Sequence, residues 1–238
     1  MLEDRIRVGQ VARLDGFHAD QLGCSRAVLE APGLHVVASA RRVRPGWGGY
    51  TVPLLALSTS GGGVVSVRPD VLDRVRVELA SRTEETLGEP HFERLRRIAQ
   101  SVVPYAYNLS GYVLFADADH FQRLSSRAEQ VDRRDSRAAD LRRRFDGEIF
   151  AVRTTRGDIV SWAAIKLKSD EVWEIAVVTE PSYRGQGLAK EVVSSATDYI
   201  ISQGRTSLYV HDRTNAASAR VCRSLGYVEY AEQFFSEY

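Results

Sequence analysis

The sequence predicts an α/β (α+β) protein, built as one large domain or two small ones. Three observations favour this class. The chain has 238 residues, 44% of them hydrophobic and 26% charged, which is ordinary for a globular protein that buries a full core. Strand-like and helix-like segments alternate along most of it. Late in the chain, a loop with two glycines joins a predicted strand to a predicted helix.

The first part of the chain, residues 1–104, predicts a small α+β region. Two of its helices open with proline, a residue favoured in the first helical turn. The predicted strand over 50–57 is interrupted by Pro53, and Gly61–Gly63 predicts a hairpin or a flexible loop. In order, the predicted elements are a helix within 17–29, strands over 34–39, 50–57 and 64–67, and helices over 69–82 and 90–103.

The second part, residues 105–238, predicts a longer series of strands and helices. Gly204 and Gly226 each follow a helical segment, in the position where glycine commonly ends a helix. The predicted strands are 111–115, 148–153, 159–165, 172–179, 207–210 and 227–235, and the predicted helices are 117–129, 136–145, 185–203 and 214–225.

Charge and cysteine content exclude several function classes. The chain has 32 Lys and Arg residues against 31 Asp and Glu residues, spread along its length, so we expect no nucleic-acid partner. Cys24 and Cys222 are too few for a disulfide framework or a structural zinc site, and no metal is expected. No apolar run has the length of a signal peptide or a membrane span. We therefore expect a cytoplasmic protein without a membrane partner.

The segment 174–193 contains the most informative motif. Gly185 and Gly187 let the backbone approach a ligand closely, and the helix that follows offers unpaired N–H groups at the positive end of its dipole. This combination binds phosphate or pyrophosphate, and Arg184 adds a positive charge. A plain strand-to-helix turn is the alternative. A Walker loop is absent, and Lys190 stands where a dinucleotide fingerprint needs a small residue.

Two motifs stand out in this part of the chain. The first contains Pro181, Tyr183, Arg184, Gly187 and Ala189, and the second contains Asn215, Leu225, Gly226 and Tyr227. Together they resemble the acyl-CoA signature of the GNAT superfamily of N-acetyltransferases. The resemblance covers about residues 105–238 and implies a mixed, mostly antiparallel sheet flanked by helices. This part would be the acyl-CoA-binding catalytic domain.

The resemblance implies acetyl-CoA as co-substrate and assigns roles to individual residues. The strand backbone at Val177, Val178 and Thr179 would pair with the pantetheine arm. Asn215 would lie near the pantetheine or the thioester. The pyrophosphate would be held by the loop amides of Arg184, Gly185, Gln186, Gly187, Leu188 and Ala189.

The resemblance also implies direct acyl transfer to an amine, with a base and an acid. Glu174 is the base candidate, although alternation of strand side chains leaves its direction open, and a surface or ion-paired glutamate is the alternative. Many relatives carry a Tyr acid seven residues after the Asn, where this chain has Cys222. That leaves Cys222 as the acid, another group as the acid, an unaided thiolate, or an inactive relative.

We expect an acetyl-CoA-dependent N-acetyltransferase that acts on a small-molecule amine. A non-catalytic acyl-CoA-binding sensor or regulatory module and a protein or peptide N-acetyltransferase are the alternatives. Residues 1–104 would be a degenerate GNAT-like half or a cap over the acceptor pocket, where Trp47 and Tyr50 could contribute. The sequence leaves the acceptor and the oligomeric state open, with a homodimer as one candidate.

Overall fold

Helices and strands alternate along the chain in a computed structural model, which describes residues 2–80 and 87–238. The helices are α1 Leu2–Leu22, α2 Arg26–Glu30, α3 Leu72–Ala80, α4 Glu89–Val102, α5 Ala139–Arg144, α6 Leu188–Ser202 and α7 Ala216–Ser224. The strands are β1 Leu34–Ala38, β2 Leu54–Ser58, β3 Gly63–Val67, β4 Tyr107–Ala116, β5 Glu129–Gln130, β6 Ile149–Arg153, β7 Ile159–Leu167, β8 Val172–Thr179, β9 Thr206–Asp212 and β10 Val228–Glu237.

The described residues form two compact units. The first contains residues 2–80, 87–113, 212–214 and 230–238, and the second contains residues 114–211 and 215–229. The division falls within β4, and most of β10 belongs to the first unit. The domain boundary after residue 104 stays a prediction, because a division into compact units does not test where a domain begins or ends.

The first unit is built on strands in the order β1, β3, β2, β10. β2 and β3 form an antiparallel hairpin, in which the Thr59 N–H donates to the Gly62 carbonyl, so the predicted hairpin is confirmed. β1 pairs with β3 in parallel, and β10 pairs with β2 antiparallel. The strands bury one face in an apolar core with α3 and α4, where Phe92 stacks on Phe234 at 6.1 Å between ring centroids.

The second unit is built on strands in the order β9, β8, β7, β6, β5. All neighbouring pairs are antiparallel except β8 and β9, which run parallel. Helix α6 packs on β6, β7 and β8 through buried apolar residues that include Val193, Ala196 and Ile200. The predicted α/β class with a mixed, mostly antiparallel sheet flanked by helices is therefore confirmed.

The predicted helix over 117–129 is wrong. The Asp117 carboxylate accepts the backbone N–H groups of Asp119 and His120, and the His120 ring donates to it at 2.7 Å. Such side-chain bonds to nearby backbone compete with helix formation. The segment instead runs as a strap along α6, where the Leu124 N–H donates to the Ser194 hydroxyl and Arg127 pairs with Glu191.

Other predicted elements differ mainly in their ends. The predicted helix within 17–29 is divided between two helices, α1 and α2, and residues 23–25 separate them. The strand expected over 50–57 begins only after Pro53, at Leu54. The last two residues of the helix expected over 69–82 lie outside the described residues.

Candidate functional site

Strands β8 and β9 separate from each other part of the way along their length. Their parallel ladder runs from the Val172–Thr206 pair to the Ile175–Tyr209 pair and ends there. β8 nevertheless continues to Thr179, and β9 continues beyond Tyr209. Among the described residues, a cleft therefore lies between the two strands beyond their ladder. We call the Ile175–Tyr209 pair the closed end of this cleft.

Alternation along the strands tells which backbone groups face this cleft. The Thr206 N–H donates to the Glu171 carbonyl, so odd-numbered residues of β8 present their backbone groups to β9. Val177 and Thr179 accordingly present theirs to the cleft, whereas those of Val178 face β7. Of the three predicted pantetheine contacts, two thus have backbone groups in position to pair with an extended ligand.

The glycine loop leads from the open end of β8 into α6. Gly185 and Gly187 have φ angles of +79° and +82°, a region that residues with a Cβ rarely adopt. A Cβ built on either glycine meets nothing within 4 Å, so the backbone of the loop is accessible. Gly187 is also the N-cap of α6, and no side chain caps the helix there.

The loop presents hydrogen-bond donors to the solvent. In the described part of the chain, no acceptor contacts the amides of Gly185, Gln186 and Gly187, and the first turn of α6 adds further unpaired N–H groups. The Arg184 Nε donates to the Thr179 carbonyl at 3.1 Å, which ties the arginine to the end of β8. Donors, helix dipole and guanidinium together suit a diphosphate. Leu188 is buried and Ala189 partly buried, which anchors the helix beneath the loop.

Asn215 begins α7 and serves as its cap. Its Oδ1 accepts the N–H of Ser218 at 3.0 Å, a bond typical of a helix N-cap. Asn215 is exposed and lies on the same unit as the cleft. Its contact with pantetheine or thioester stays a prediction.

Glu174 lies on the closed half of β8 and is ion-paired. Its neighbour Trp173 stacks on Tyr199 of α6, so Glu174 points to the opposite face of the sheet. Its carboxylate lies 2.6 Å from the Lys166 Nζ and 3.4 Å from the Lys168 Nζ. Burial raises the pKa of Glu174, but the two ammonium groups outweigh it and lower the pKa overall. A base role stays a prediction for a carboxylate that holds two lysines.

Cys222 is buried inside the second unit. Its side chain is 0% exposed, and its Sγ donates to the Ala219 carbonyl at 3.3 Å. Burial raises the pKa of the Cys222 thiol, so it keeps its proton at neutral pH. The acid role of Cys222 also stays a prediction, because its thiol already donates a hydrogen bond within its own helix.

Sequence reasoning missed two residues beside the cleft whose hydroxyl groups contact each other, Tyr209 and Ser218. Tyr209 stands at the closed end of the cleft, and its hydroxyl lies 2.8 Å from the Ser218 Oγ on α7. Burial raises the pKa of Tyr209 to about 12. The spacing of three residues from Asn215 to Ser218 was the available signal, since it puts both on one helix face.

The motif residue Tyr227 and the nearby His211 have structural partners. The buried Tyr227 hydroxyl lies 2.7 Å from both the Thr197 and the Ser207 hydroxyl groups, joining α6 to β9. His211 is buried with its ring 6.4 Å from that of Tyr209. Among the residues described, no three His, Cys, Asp or Glu side chains are grouped as metal ligands would be. None of the described helices has the length and apolar character of a membrane span.

Several solved structures with similar folds are described as GNAT proteins. A GCN5-related N-acetyltransferase-like protein from Streptococcus suis shares 18% identity over 81% of this chain and 89% of its own, with a TM-score of 0.50. A GCN5-related N-acetyltransferase from Kribbella flavida shares 20% identity over 59% of this chain, with a TM-score of 0.45. A GNAT-family acetyltransferase from Colwellia psychrerythraea shares 16% over 60%, with a TM-score of 0.44. The last two matches span 63% and 62% of those proteins, less than two thirds.

The family comparison covers the cleft, the loop and both motifs. The comparison with curated proteins found no match to the chain. The model of the acetyltransferase (GNAT) family matches residues 108–227, slightly more than half of the sequence. The chain therefore belongs to the acetyltransferase (GNAT) family.

Proposed function

We propose that this protein transfers an acetyl group from acetyl-CoA directly to the primary amine of a small molecule. Family membership supports acyl transfer in general. The observation that carries the finer proposal is the cleft between β8 and β9, which opens beside a glycine loop at the N-terminus of α6. An acyl-CoA has the matching parts, an extended pantetheine arm and a diphosphate.

The residues of the second unit divide the binding work. Amides from Gly185 to Ala189 and the Arg184 guanidinium would hold the diphosphate. The backbone groups of Val177 and Thr179 would pair with the amides of the pantetheine arm. The thioester would supply an activated acyl carbonyl, which the amine attacks as the sulfur leaves. The chain's own contribution is to fix the arm and exclude water from the closed end.

A non-catalytic acyl-CoA-binding module is the second candidate. Two observations favour it. Glu174 is held by two lysines instead of standing free as a base, and Cys222 is buried at the position where the resemblance implies a tyrosine in many relatives. Modification of a protein or peptide is a third option without specific support. Acceptor, cytoplasmic location, homodimer formation and the lack of nucleic-acid and membrane partners stay predictions of the sequence.

Thermal unfolding with and without acetyl-CoA tests the binding half of the proposal. At about 100 times the dissociation constant, the ligand should stabilise the protein by roughly 2.7 kcal/mol. Gly187→Glu should abolish the shift, because it places a carboxylate in the diphosphate site. Gly204→Glu is the matched control, since Gly204 follows the other end of α6 with a φ of +70° and open space around it. No shift in the unchanged protein would contradict acyl-CoA binding.

Release of free thiol from acetyl-CoA tests the catalytic half. A panel of small primary amines, diamines and amino acids should contain at least one acceptor that accelerates release. Gly187→Glu should remove that activity. Tight binding without release for any amine, and with peptides also inactive, would favour the binding module instead.

A further inference from the structure

One face of α7 carries polar groups, and a hydrogen bond connects one of them to the closed end of the cleft. Asn215, Ser218 and Cys222 are spaced at three and four residues, so they lie along the same side of the helix. The Ser218 N–H is fixed by the Asn215 Oδ1 at 3.0 Å. The Ser218 hydroxyl therefore stands on a capped first turn, with little freedom in its backbone.

Tyr209 brings this face of α7 to the closed end. It pairs with Ile175 in the last rung of the β8–β9 ladder, and its hydroxyl lies 2.8 Å from the Ser218 Oγ. An arm that enters from the glycine loop and runs between the strands must end near this rung, because the strands close there. The reactive end of such a ligand then lies beside Tyr209 and Ser218.

Cys222 is a poorer partner for that end. Its thiol is fully buried and already donates to the Ala219 carbonyl, whereas Ser218, one turn earlier, is only partly buried. If Tyr209 donates to the Ser218 Oγ, the Ser218 hydroxyl keeps its own proton for a third group. Tyr209 stays neutral for this purpose, since burial raises its pKa to about 12.

We propose that the Ser218 hydroxyl, oriented by Tyr209, donates a hydrogen bond to the sulfur that leaves during acyl transfer. This inference rests on the proposed function. Ser218 is then the catalytic residue that touches the reacting sulfur, and Tyr209 is a positioning residue.

The proposed step balances without any further reactant. The amine nitrogen forms a bond to the acyl carbon, and the carbon–sulfur bond breaks with its electron pair remaining on sulfur. The amine proton passes to solvent. The thiolate is stabilised by the Ser218 hydroxyl until water returns a proton to it.

The test measures recognition of the thiolate and needs no acceptor. Calorimetry would give the affinities of coenzyme A and of desulfo-coenzyme A, in which hydrogen replaces the thiol, from neutral pH to about pH 10. In the unchanged protein, the preference for coenzyme A should rise by about tenfold as its thiol ionises, the size expected for a hydrogen bond to a charged group. Ser218→Ala should lose this rise, and Ser218→Thr should keep it.

Two further variants separate the roles of the neighbours. Tyr209→Phe keeps the buried ring and should lose part of the rise, because the Ser218 hydroxyl is then free to rotate. Cys222→Ala should keep all of it. The titratable groups near Tyr209 are His211, Tyr227 and Cys222, and comparing the two ligands on each protein cancels their own titration.

The outcomes are distinct. An equal rise in the unchanged protein and in Ser218→Ala would overturn the inference and leave acyl-CoA binding intact. Loss of the rise in Cys222→Ala alone would assign the donor to the thiol instead. If neither ligand binds the unchanged protein, the proposed function fails and this inference fails with it.

Discussion

Two parallel strand pairs among the described residues, β1 with β3 and β8 with β9, end differently. β1 and β3 stay paired over their full length, from Leu34–Gly63 to Ala38–Val67, and every residue of β3 is buried. β8 and β9 pair through only four residues and then part, and Val178 in the part of β8 beyond that ladder is 42% exposed. Both pairs are rich in valine and satisfy the same strand preferences. The cleft therefore depends on where a ladder stops, and less on which residues form the strands.

The glycines beside the two strand pairs also differ, because one is closely packed and the others lie in open space. A Cβ on Gly62, in the hairpin next to β3, would lie 2.2 Å from the Ala31 carbonyl oxygen, so this glycine is needed for close packing. A Cβ on Gly185 or Gly187 would meet nothing within 4 Å, so these glycines are needed for their positive φ and for access. One glycine-rich loop closes a core, and the other leaves a surface open for a ligand.

The largest effect on folding is expected for Gly62→Ala. The contact is with backbone and cannot be relieved by a side-chain rotation, so we expect a loss of about 3 kcal/mol in the free energy of unfolding. Urea denaturation would measure it. Gly46→Ala is the control in the same unit, since its Cβ would lie at an ordinary 3.7 Å from the Tyr50 carbonyl oxygen. Equal losses for both variants would contradict the packing role of Gly62.

The next largest effect is expected for Glu174→Gln, in the closed half of β8. The change leaves Lys166 and Lys168 without their carboxylate, and we expect a loss of about 1–3 kcal/mol at neutral pH. Acyl-CoA affinity should stay unchanged, because Glu174 points away from α6. If Glu174→Gln slows acetyl transfer by far more than its loss of unfolding free energy explains, Glu174 acts as the base.

The pH dependence of the same variant gives the sign of this contribution. The two lysines lower the pKa of Glu174 in the folded protein, so its stabilisation is fully present above the ordinary pKa of a glutamate. It is lost as the pH falls through the lowered value. The difference in unfolding free energy between the unchanged protein and Glu174→Gln should therefore shrink from pH 7 to about pH 3. A difference that stays constant would indicate a packing effect.

The sequence predicted the second unit well because its signals are local. Gly185 and Gly187 mark the loop, and the apolar strands on either side can be read from their composition. The helix over 117–129 failed because one residue, Asp117, bonds to its own neighbouring backbone and starts a turn instead. Its residue types alone do not reveal that competition.

The cleft could not be predicted from the strands that form it. Val177, Val178 and Thr179 have the same β-branched character as fully paired residues, so nothing local marks the end of the ladder. The Tyr209–Ser218 contact and the lysine partners of Glu174 depend on register between elements that are apart in sequence. Only the family resemblance pointed to residues of this cleft, and its acid candidate, Cys222, stays a prediction.

The smallest effect on folding is expected for Gly185→Ala. This variant also tests most directly how the two glycine loops differ. Gly185 and Gly204 have φ angles of +79° and +70° with open space around both, so alanine at either should cost about 1 kcal/mol of stability through backbone strain alone. Only Gly185→Ala should also weaken acetyl-CoA binding, since its methyl group would stand in the open space that we propose the diphosphate occupies. Parallel urea denaturation and calorimetry of the two variants would measure both quantities. If the two variants bind acetyl-CoA equally well, openness at Gly185 serves the turn and not a ligand, and the distinction between the two glycine loops reduces to one of packing.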